Sequence, residues 1–340
     1  MNKNALESLR IVKYITAYLN VYLPSHQTSS SHTQKNYRIT LQLYLEFLEE
    51  KNISIDNVKF NDFNSKNIEE WLVWLSQNRN NKPQSINNRL AAIRVFLEYL
   101  GRQDISLYYL YVESKQIKRR KQPKIKVKGV SKNGMKHLFA AIDQSTATGR
   151  RDLTLFILMY NTATRINELL SLKIDNLFLD VENPYINIVG KGNKLRSLYL
   201  LPKTVSYLRK YIIEFHGTSP NKNSYLFYSK IKGKDTKLTQ PAIEKQLKKW
   251  ASIANKKCNE VPLTLHPHQI RHAAACHWLE DGINIVQISY LLGHEQLQTT
   301  MVYLEITTVQ KTIALEAIES NKQNNKLWKN NLKKLSDICK

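Results

Sequence analysis

Between Ser114 and Gly129 the chain sets eight lysines and arginines around one proline, and no globular core can run through such a segment. The fold must divide there, with one region burying its apolar residues before the run and another after it. A length of 340 residues suits two such regions, each large enough for a core of its own. The run is also part of a wider imbalance: 51 Lys+Arg against 28 Asp+Glu leave a formal charge of +23. Solubility alone favours added acids over added bases, so this surplus points to a polyanion, and nucleic acid fits better than a membrane surface.

The membrane reading fails on length, because no apolar run approaches the roughly 20 residues needed to span a bilayer. Lys3, Arg10 and Lys13 interrupt the first apolar residues and leave no signal-peptide core. Cys258, Cys276 and Cys339 are too few and too scattered for a disulfide framework or a zinc site. The expectation is a soluble, cytoplasmic, nucleic-acid-binding protein.

Before the basic run the apolar residues recur at helical spacing. Leu41, Tyr44, Leu45 and Leu48 follow Tyr37; Ile68, Trp71, Leu72 and Leu75 follow a cap at Ser65; Ile86, Leu90, Ile93 and Leu97 lead to Gly101 as a stop. Ala5 to Leu19 offers a further helix, and the bundle should end near Tyr111. After the run, helical spacing resumes from Ser131 to Ile142 and from Leu153 to Leu172. Tyr185 to Leu200 instead alternates, with Ile186 and Ile188 on one side of a Gly190-Lys191-Gly192-Asn193 turn and Leu198 and Leu200 on the other, which predicts a β-hairpin. Helix returns from Leu238 onward, and the tail aligns Trp328, Leu332, Leu335 and Ile338 on one face. The fold class is mainly α with a small antiparallel β-sheet. Trp71, Trp74 and Trp278 read as core.

Four segments of the second region carry chemistry: Thr162-Ala163-Thr164-Arg165 with Glu168, Gly190-Lys191 with Lys194 and Arg196, His266-Pro267-His268 with Arg271 and His272, and Leu292-Gly293-His294 leading to Tyr303. Arg271 and His294 lie twenty-three positions apart, and Tyr303 follows nine later. In order and spacing these segments resemble the catalytic boxes of the tyrosine recombinase (phage integrase, Xer-like) family, across residues 130–305. The resemblance implies Arg165, Lys191, His268, Arg271, His294 and Tyr303 as the active-site set, with Glu168 and His272 in support. One departure is visible. The family usually has Thr-Gly-x-Arg, and Ala163 can replace that glycine if the backbone avoids positive φ.

The resemblance also implies a domain plan: an N-terminal extension (1–29), a helical core-binding, SAM-like domain (30–112), a basic linker (113–129), a mixed α/β catalytic domain (130–320) and a C-terminal helical tail (321–340). The partner it implies is double-stranded DNA carrying a specific recombination site, handled by a homotetramer on two sites, with accessory proteins possible. Cleavage through a 3′-phosphotyrosine would serve integration, excision or resolution, most plausibly for a mobile element. The tail is expected either to pack on its own protomer or to dock on a neighbour.

The residue types suit that chemistry on their own terms. Cutting a phosphodiester without a metal or cofactor needs a nucleophile, a proton donor for the leaving oxygen and cations around the phosphoryl oxygens. Tyr303 supplies the first, Arg165 and Arg271 offer planar forks for the last, and His268 and His294 can move protons or bind the phosphate. Lys191 at the hairpin tip suits the leaving 5′ oxygen, with Lys194 and Arg196 as alternatives in the same basic hairpin. Lys115, Lys118, Arg119, Arg120 and Lys121, with Lys194 and Arg196, are expected along DNA phosphates. Two rival readings are a DNA-binding accessory protein without catalysis and a type IB topoisomerase-like relaxing enzyme. A basic RNA-binding helical protein would account for the charge but for none of the spacing.

Overall fold

The computed structural model describes residues 3–27, 30–121, 129–190, 193–231 and 233–304, which fall into two compact units divided between Ile125 and Lys126. The first is all helical: α1 (Lys3–Ala17), prolonged by a π-helical segment Tyr18–Gln27, then α2 (Ser31–Glu50), α3 (Ser65–Gln77), α4 (Pro83–Gln103) and α5 (Tyr108–Gln116). Local signals set the starts of three of them. Ser30 accepts from the Thr33 amide to cap α2, and Pro83 occupies the first turn of α4. The cap of α3 is Asn64, which accepts from the Asn67 amide, so Ser65 is its first helical residue and not the expected cap.

Aromatic residues fill this bundle, with Trp71 edge-on to Tyr44 at 5.1 Å and Phe96 edge-on to Tyr18 at 5.1 Å. Ile11, Tyr18 and Leu23 are at most 2% exposed and belong to the same core. Burial of such side chains stabilises by roughly 1.5–3 kcal/mol each, so α1 and the π-helical segment to Gln27 are an integral part of the bundle and not an extension from it. Gly101 does not stop α4, which runs on to Gln103. The glycine is needed because Tyr108 lies against it: a Cβ there would stand 2.7 Å from Tyr108 Cδ2 and 2.9 Å from its Cα.

The start of the basic run is fastened to the bundle. Helix α5 continues past Tyr111 to Gln116, and Ile117 is buried in the helical core. The Arg94 guanidinium donates to the carbonyls of Ser114 and Ile117, relieving the unpaired acceptors at the end of α5. Asn87 then holds Arg120 at both ends, accepting from its amide at 2.8 Å and donating to its carbonyl at 3.0 Å. Lys115, Lys118, Arg119, Arg120 and Lys121 remain exposed, with Lys115 Nζ 4.3 Å from the Tyr111 ring centroid. Lys124, Lys126 and Lys128 lie outside the described residues.

The second unit is helical around two small antiparallel sheets. Helices α6 (Lys132–Ala140), α7 (Ala147–Thr162) and α8 (Ile166–Leu170) lead into β1 (Leu177–Phe178), β2 (Tyr185–Val189) and β3 (Leu195–Tyr199). After α9 (Pro202–His216) come the strands β4 (Tyr228–Ile231) and β5 (Lys234–Lys237). Then follow α10 (Gln240–Asn255), α11 (Pro267–Glu280), α12 (Ile285–Leu292) and the single turn α13 (Gln298–Met301). The expected hairpin is β2–β3, in register Ile186 with Leu198 and Ile188 with Arg196, with β1 beside β2. The main core gathers Phe156, Leu158, Ile186, Leu208, Phe227, Leu247 and Trp250, each at most 3% exposed.

The stretch from Leu153 to Leu172 is not one helix. It breaks at Ala163, whose φ of 47° and ψ of 30° are left-handed, and resumes beyond Arg165. The condition under which alanine could replace glycine here without cost, a backbone that avoids positive φ, is therefore not met. The residue holds a conformation that costs an L-amino acid roughly 1–2 kcal/mol. Its methyl is fully buried in a second small core with Ala274, Ala275, Leu279, Ile288, Leu292 and Tyr303, against which the half-buried Trp278 packs. Trp328, Leu332, Leu335 and Ile338 of the tail lie outside the described residues.

The Asn87 clamp has a measurable consequence. Asn87→Ala removes two neutral hydrogen bonds at about 1 kcal/mol each, roughly a thirtyfold change in local opening. Limited trypsin digestion is expected to cut after Arg119 or Arg120 at least tenfold faster in this variant, with the core of the bundle still protected. Equal cutting rates would mean the clamp does not hold the run.

Candidate active site

The left-handed break after α7 places Arg165 at the N-cap of α8. Its amide donates to Glu168 Oε2 at 3.0 Å, closing the first turn of that helix, and its Nη1 donates to Glu168 Oε1 at 2.9 Å. The Arg165 side chain is still 36% exposed, which leaves donors free toward the solvent. Glu168 is only 8% exposed and holds a second arginine as well: Arg196 Nη2 reaches its Oε2 at 2.7 Å. Burial of Glu168 works against its ionisation, but the two arginines and the Arg165 amide outweigh it and hold its pKa below the ordinary value.

Arg271 enters from α11 and is 4% exposed. Its Nη1 donates to the Ala163 carbonyl at 2.6 Å, and its Nη2 donates to the Leu292 carbonyl at 2.8 Å and lies 3.1 Å from His294 Nε2. One guanidinium thus binds the segments that carry Arg165 and His294. Burial, then the charge of Arg165, lowers the Arg271 pKa to about 10, and the group stays charged at neutral pH.

Because Arg271 can only donate, His294 Nε2 must accept. Its proton therefore sits on Nδ1, which donates to Thr300 Oγ1 at 2.8 Å. Burial first, then Arg271 and Arg165, lower the His294 pKa to about 4, consistent with this neutral tautomer. His268, on the first turn of α11, is exposed, yet desolvation and the same two arginines lower its pKa too. His272, one turn further, lies with its ring 5.3 Å from that of Tyr303, and its buried Nδ1 has no protein partner. Of these two histidines, His272 is the one whose ring lies against Tyr303.

Tyr303 is 3% exposed in the small core, and burial raises its pKa, the nearby Arg271 pulling the other way. The open side of the site is a cleft of about 530 Å³, lined by Arg165, Gly190, Arg196, His294, Gln296 and Thr299 among others. Lys191 falls outside the described residues. Lys194 lies at the hairpin end and pairs with Glu295 at 2.7 Å, both side chains being exposed. Arg196 does not stand free along the cleft as a basic-hairpin residue would; its guanidinium is committed to Glu168.

Three features of the site were missed in the sequence. No signal marks the carbonyls of Ala163 and Leu292 as acceptors, since they depend on backbone dihedrals. Thr300 was visible only as a residue near Tyr303. Arg196 did carry a signal, because it lies in phase with Leu198 and Leu200 and so on the buried face of β3.

Comparison with known proteins gives the family of the chain. The phage integrase family profile matches residues 128–309, and the N-terminal SAM-like domain of phage integrases matches residues 15–104. The tyrosine recombinase XerC of Chlamydia caviae is 28% identical over 300 residues, covering 84% of this chain and 92% of its own. The tyrosine recombinase XerD of Listeria monocytogenes is 28% identical over 284 residues, covering 83% and 90%. In fold, the chain is similar to the XerH site-specific recombinase bound to a palindromic difH substrate in a post-cleavage complex, with TM-score 0.69, 20% identity and coverage of 94% and 91%. A lambda integrase dimer bound to a core site gives TM-score 0.63 at 13% identity, covering 87% and 96%. The chain belongs to the phage integrase family and is a tyrosine-type site-specific DNA recombinase.

Proposed function

We propose that Tyr303 is the nucleophile of this recombinase and that Arg165, Arg271 and His294 hold the scissile phosphate. The observation that carries the reading is the Arg271 guanidinium, hydrogen-bonded at once to Ala163, Leu292 and His294 above the core that contains Tyr303. In the first step the Tyr303 oxygen bonds to phosphorus and the bond to the 5′ oxygen breaks, leaving a 3′-phosphotyrosine. The phenolic proton passes to a neutral histidine, with His272 against the Tyr303 ring and His268 near the arginines. The leaving oxygen takes a proton from the β2–β3 hairpin, from Lys191 or from Lys194 once it leaves Glu295. Attack by a 5′ hydroxyl on the phosphotyrosine reverses these events, so rejoining needs no external energy source.

The same reading gives Lys115, Lys118, Arg119, Arg120 and Lys121 the role of phosphate contacts, supported by their exposure on a segment fastened to α4. It also includes a homotetramer on two double-stranded sites, accessory proteins, a cytoplasmic setting and service to a mobile element. Among the described residues no helix is long and apolar enough to cross a membrane.

The test uses a library of nicked duplexes that includes DNA flanking the gene, so that a cleaved strand is trapped on the protein. The wild type is expected to give a protease-sensitive adduct on a denaturing gel, and sequencing the trapped DNA identifies the site. Tyr303→Phe should give none while still shifting that DNA in a native gel. Adduct from the phenylalanine variant would remove Tyr303 from its role.

Arg271→Lys keeps the charge but loses the fork. Loss of one preorganised donor costs about 3–4 kcal/mol, so trapping by bound protein should slow by roughly 10²–10³ while affinity changes only a few-fold. Near-normal trapping would mean that Arg271 is not a phosphate clamp.

The His294 protonation state gives a pH prediction. Its folded pKa of about 4 lies below the ordinary histidine value of 6.5, so its contribution to stability is full above about pH 6.5 and is lost as pH falls toward 4. His268, His272 and His277 are shifted in the same direction. Melting temperature should therefore drop over that window, and His294→Gln should flatten the drop. Parallel wild-type and variant curves would contradict the neutral, Arg271-bound histidine.

A further inference from the structure

Arg196 is a conspicuous charge in the site that the proposed chemistry leaves without a task. It projects from β3 opposite Ile188, on the inward face of the hairpin, and its side chain is 12% exposed. Two glycines make its space. A Cβ on Gly190 would stand 2.8 Å from Arg196 Nη1, and a Cβ on Gly293 would stand 3.2 Å from both Cζ and Nη1. Gly293 is also left-handed, at φ 65°, whereas Gly190 is not among the described glycines of positive φ, and a Cβ there would push on the Arg196 guanidinium.

The guanidinium therefore fits between the hairpin and the turn that presents His294, with its fork on Glu168. Charge counting shows what this does. Glu168 already touches Arg165, and that pair alone would be neutral. With Arg196 on both oxygens of the same carboxylate, the trio carries a net positive charge, and the exposed member is Arg165. Were Arg196 to turn to a DNA phosphate, Arg165 would be left as the only guanidinium on Glu168, and the surplus positive charge facing the phosphate would be lost.

We infer that Arg196 is a positioning residue that balances Glu168 so that the charge of Arg165 stays available to the scissile phosphate, and that it is not itself a DNA contact. The inference rests on the proposed role of Arg165, and it assigns to the hairpin a task beyond proton donation.

The experiment uses the full-length protein and the site recovered by trapping, with wild type and Tyr303→Phe in parallel. Absence of adduct from the wild type would be a failure of the Tyr303 reading and not of this one. Arg196→Met is expected to bind the site within about threefold of wild type with an unchanged salt dependence, while trapping slows about a hundredfold, the scale of one lost preorganised donor, because Arg165 is then held neutral by Glu168. Adding Glu168→Gln removes the carboxylate charge but keeps an oxygen for the Arg165 amide. The double variant should recover at least tenfold of the lost rate, a suppression that a fold defect would not give.

A double variant no faster than Arg196→Met would overturn the inference. So would a salt slope reduced by about one with normal trapping per bound complex, the signature of a lost phosphate contact. If the methionine variant melts early, Arg196→Lys retains a charge beside Glu168. That variant should keep the wild-type salt slope and lose less than tenfold in trapping, and a loss as large as that expected for methionine would count against the charge argument.

Discussion

The hydrogen bonds from Arg271 to the carbonyls of Ala163 and Leu292 are the constraint from which the catalytic unit takes its form. A guanidinium that is 4% exposed and not paired with a carboxylate would be costly if nothing met its donors. Both carbonyls come from helix ends. Ala163 caps α7 and Leu292 closes α12, so the partial negative charge at two helix C-termini meets a buried cation. Both helices also end in a left-handed residue, Ala163 in one and Gly293 in the other. The same two bends send the chain onward to Arg165 and to His294. Satisfying a buried charge and presenting the site residues are therefore a single geometric act.

This accounts for an alanine at a position that glycine would adopt at lower cost. The roughly 1–2 kcal/mol of left-handed strain is set against a methyl buried among Ala274, Ala275, Leu292 and Tyr303. Thr162 and Thr164, whose hydroxyls lie 3.1 Å apart on either side and are both buried, brace the bend further. A turn braced in this way keeps Arg165 at the start of α8 when no DNA is present, and little ordering remains to be done when a phosphate arrives.

How much of this was legible in the sequence follows from what each feature depends on. The two-unit division and the β2–β3 hairpin rest on composition and periodicity, which a sequence carries, whereas the grouping of Arg165, Arg271, His294 and Tyr303 came from the resemblance to the tyrosine recombinase family. The dihedral of Ala163 does not, because nothing local compels alanine to turn left-handed; the acceptor geometry around Arg271 compels it from a distance of more than one hundred residues. Gly101 looked like a helix stop because its true reason, the approach of Tyr108, is tertiary. Arg196 was legible as a basic residue of the hairpin, but its pairing with Glu168 is tertiary, and only its phase with Leu198 and Leu200 pointed to the inward face. The β4–β5 hairpin was missed because Ser229, Lys230, Asp235 and Lys237 give no apolar alternation to detect.

The electrostatics of the free site follow from the excess of arginine over carboxylate. Arg165, Arg196 and Arg271 face one buried acid, Glu168, and the desolvated histidines nearby respond by staying neutral. Neutral imidazoles can accept a proton, which is what the attack by a phenol requires. Tyr303 is meanwhile buried with its pKa raised, so it is not a standing phenolate that could be spent on a stray electrophile. A bound phosphate would alter each of these terms together. It would offset the surplus positive charge and draw Arg271 toward new acceptors, freeing His294 Nε2 to hydrogen-bond elsewhere. With the roles proposed for Tyr303 and the arginines, reactivity is stored as an unbalanced charge and a sequestered hydroxyl, and the DNA backbone is the group whose arrival would balance the one while the other is brought into line.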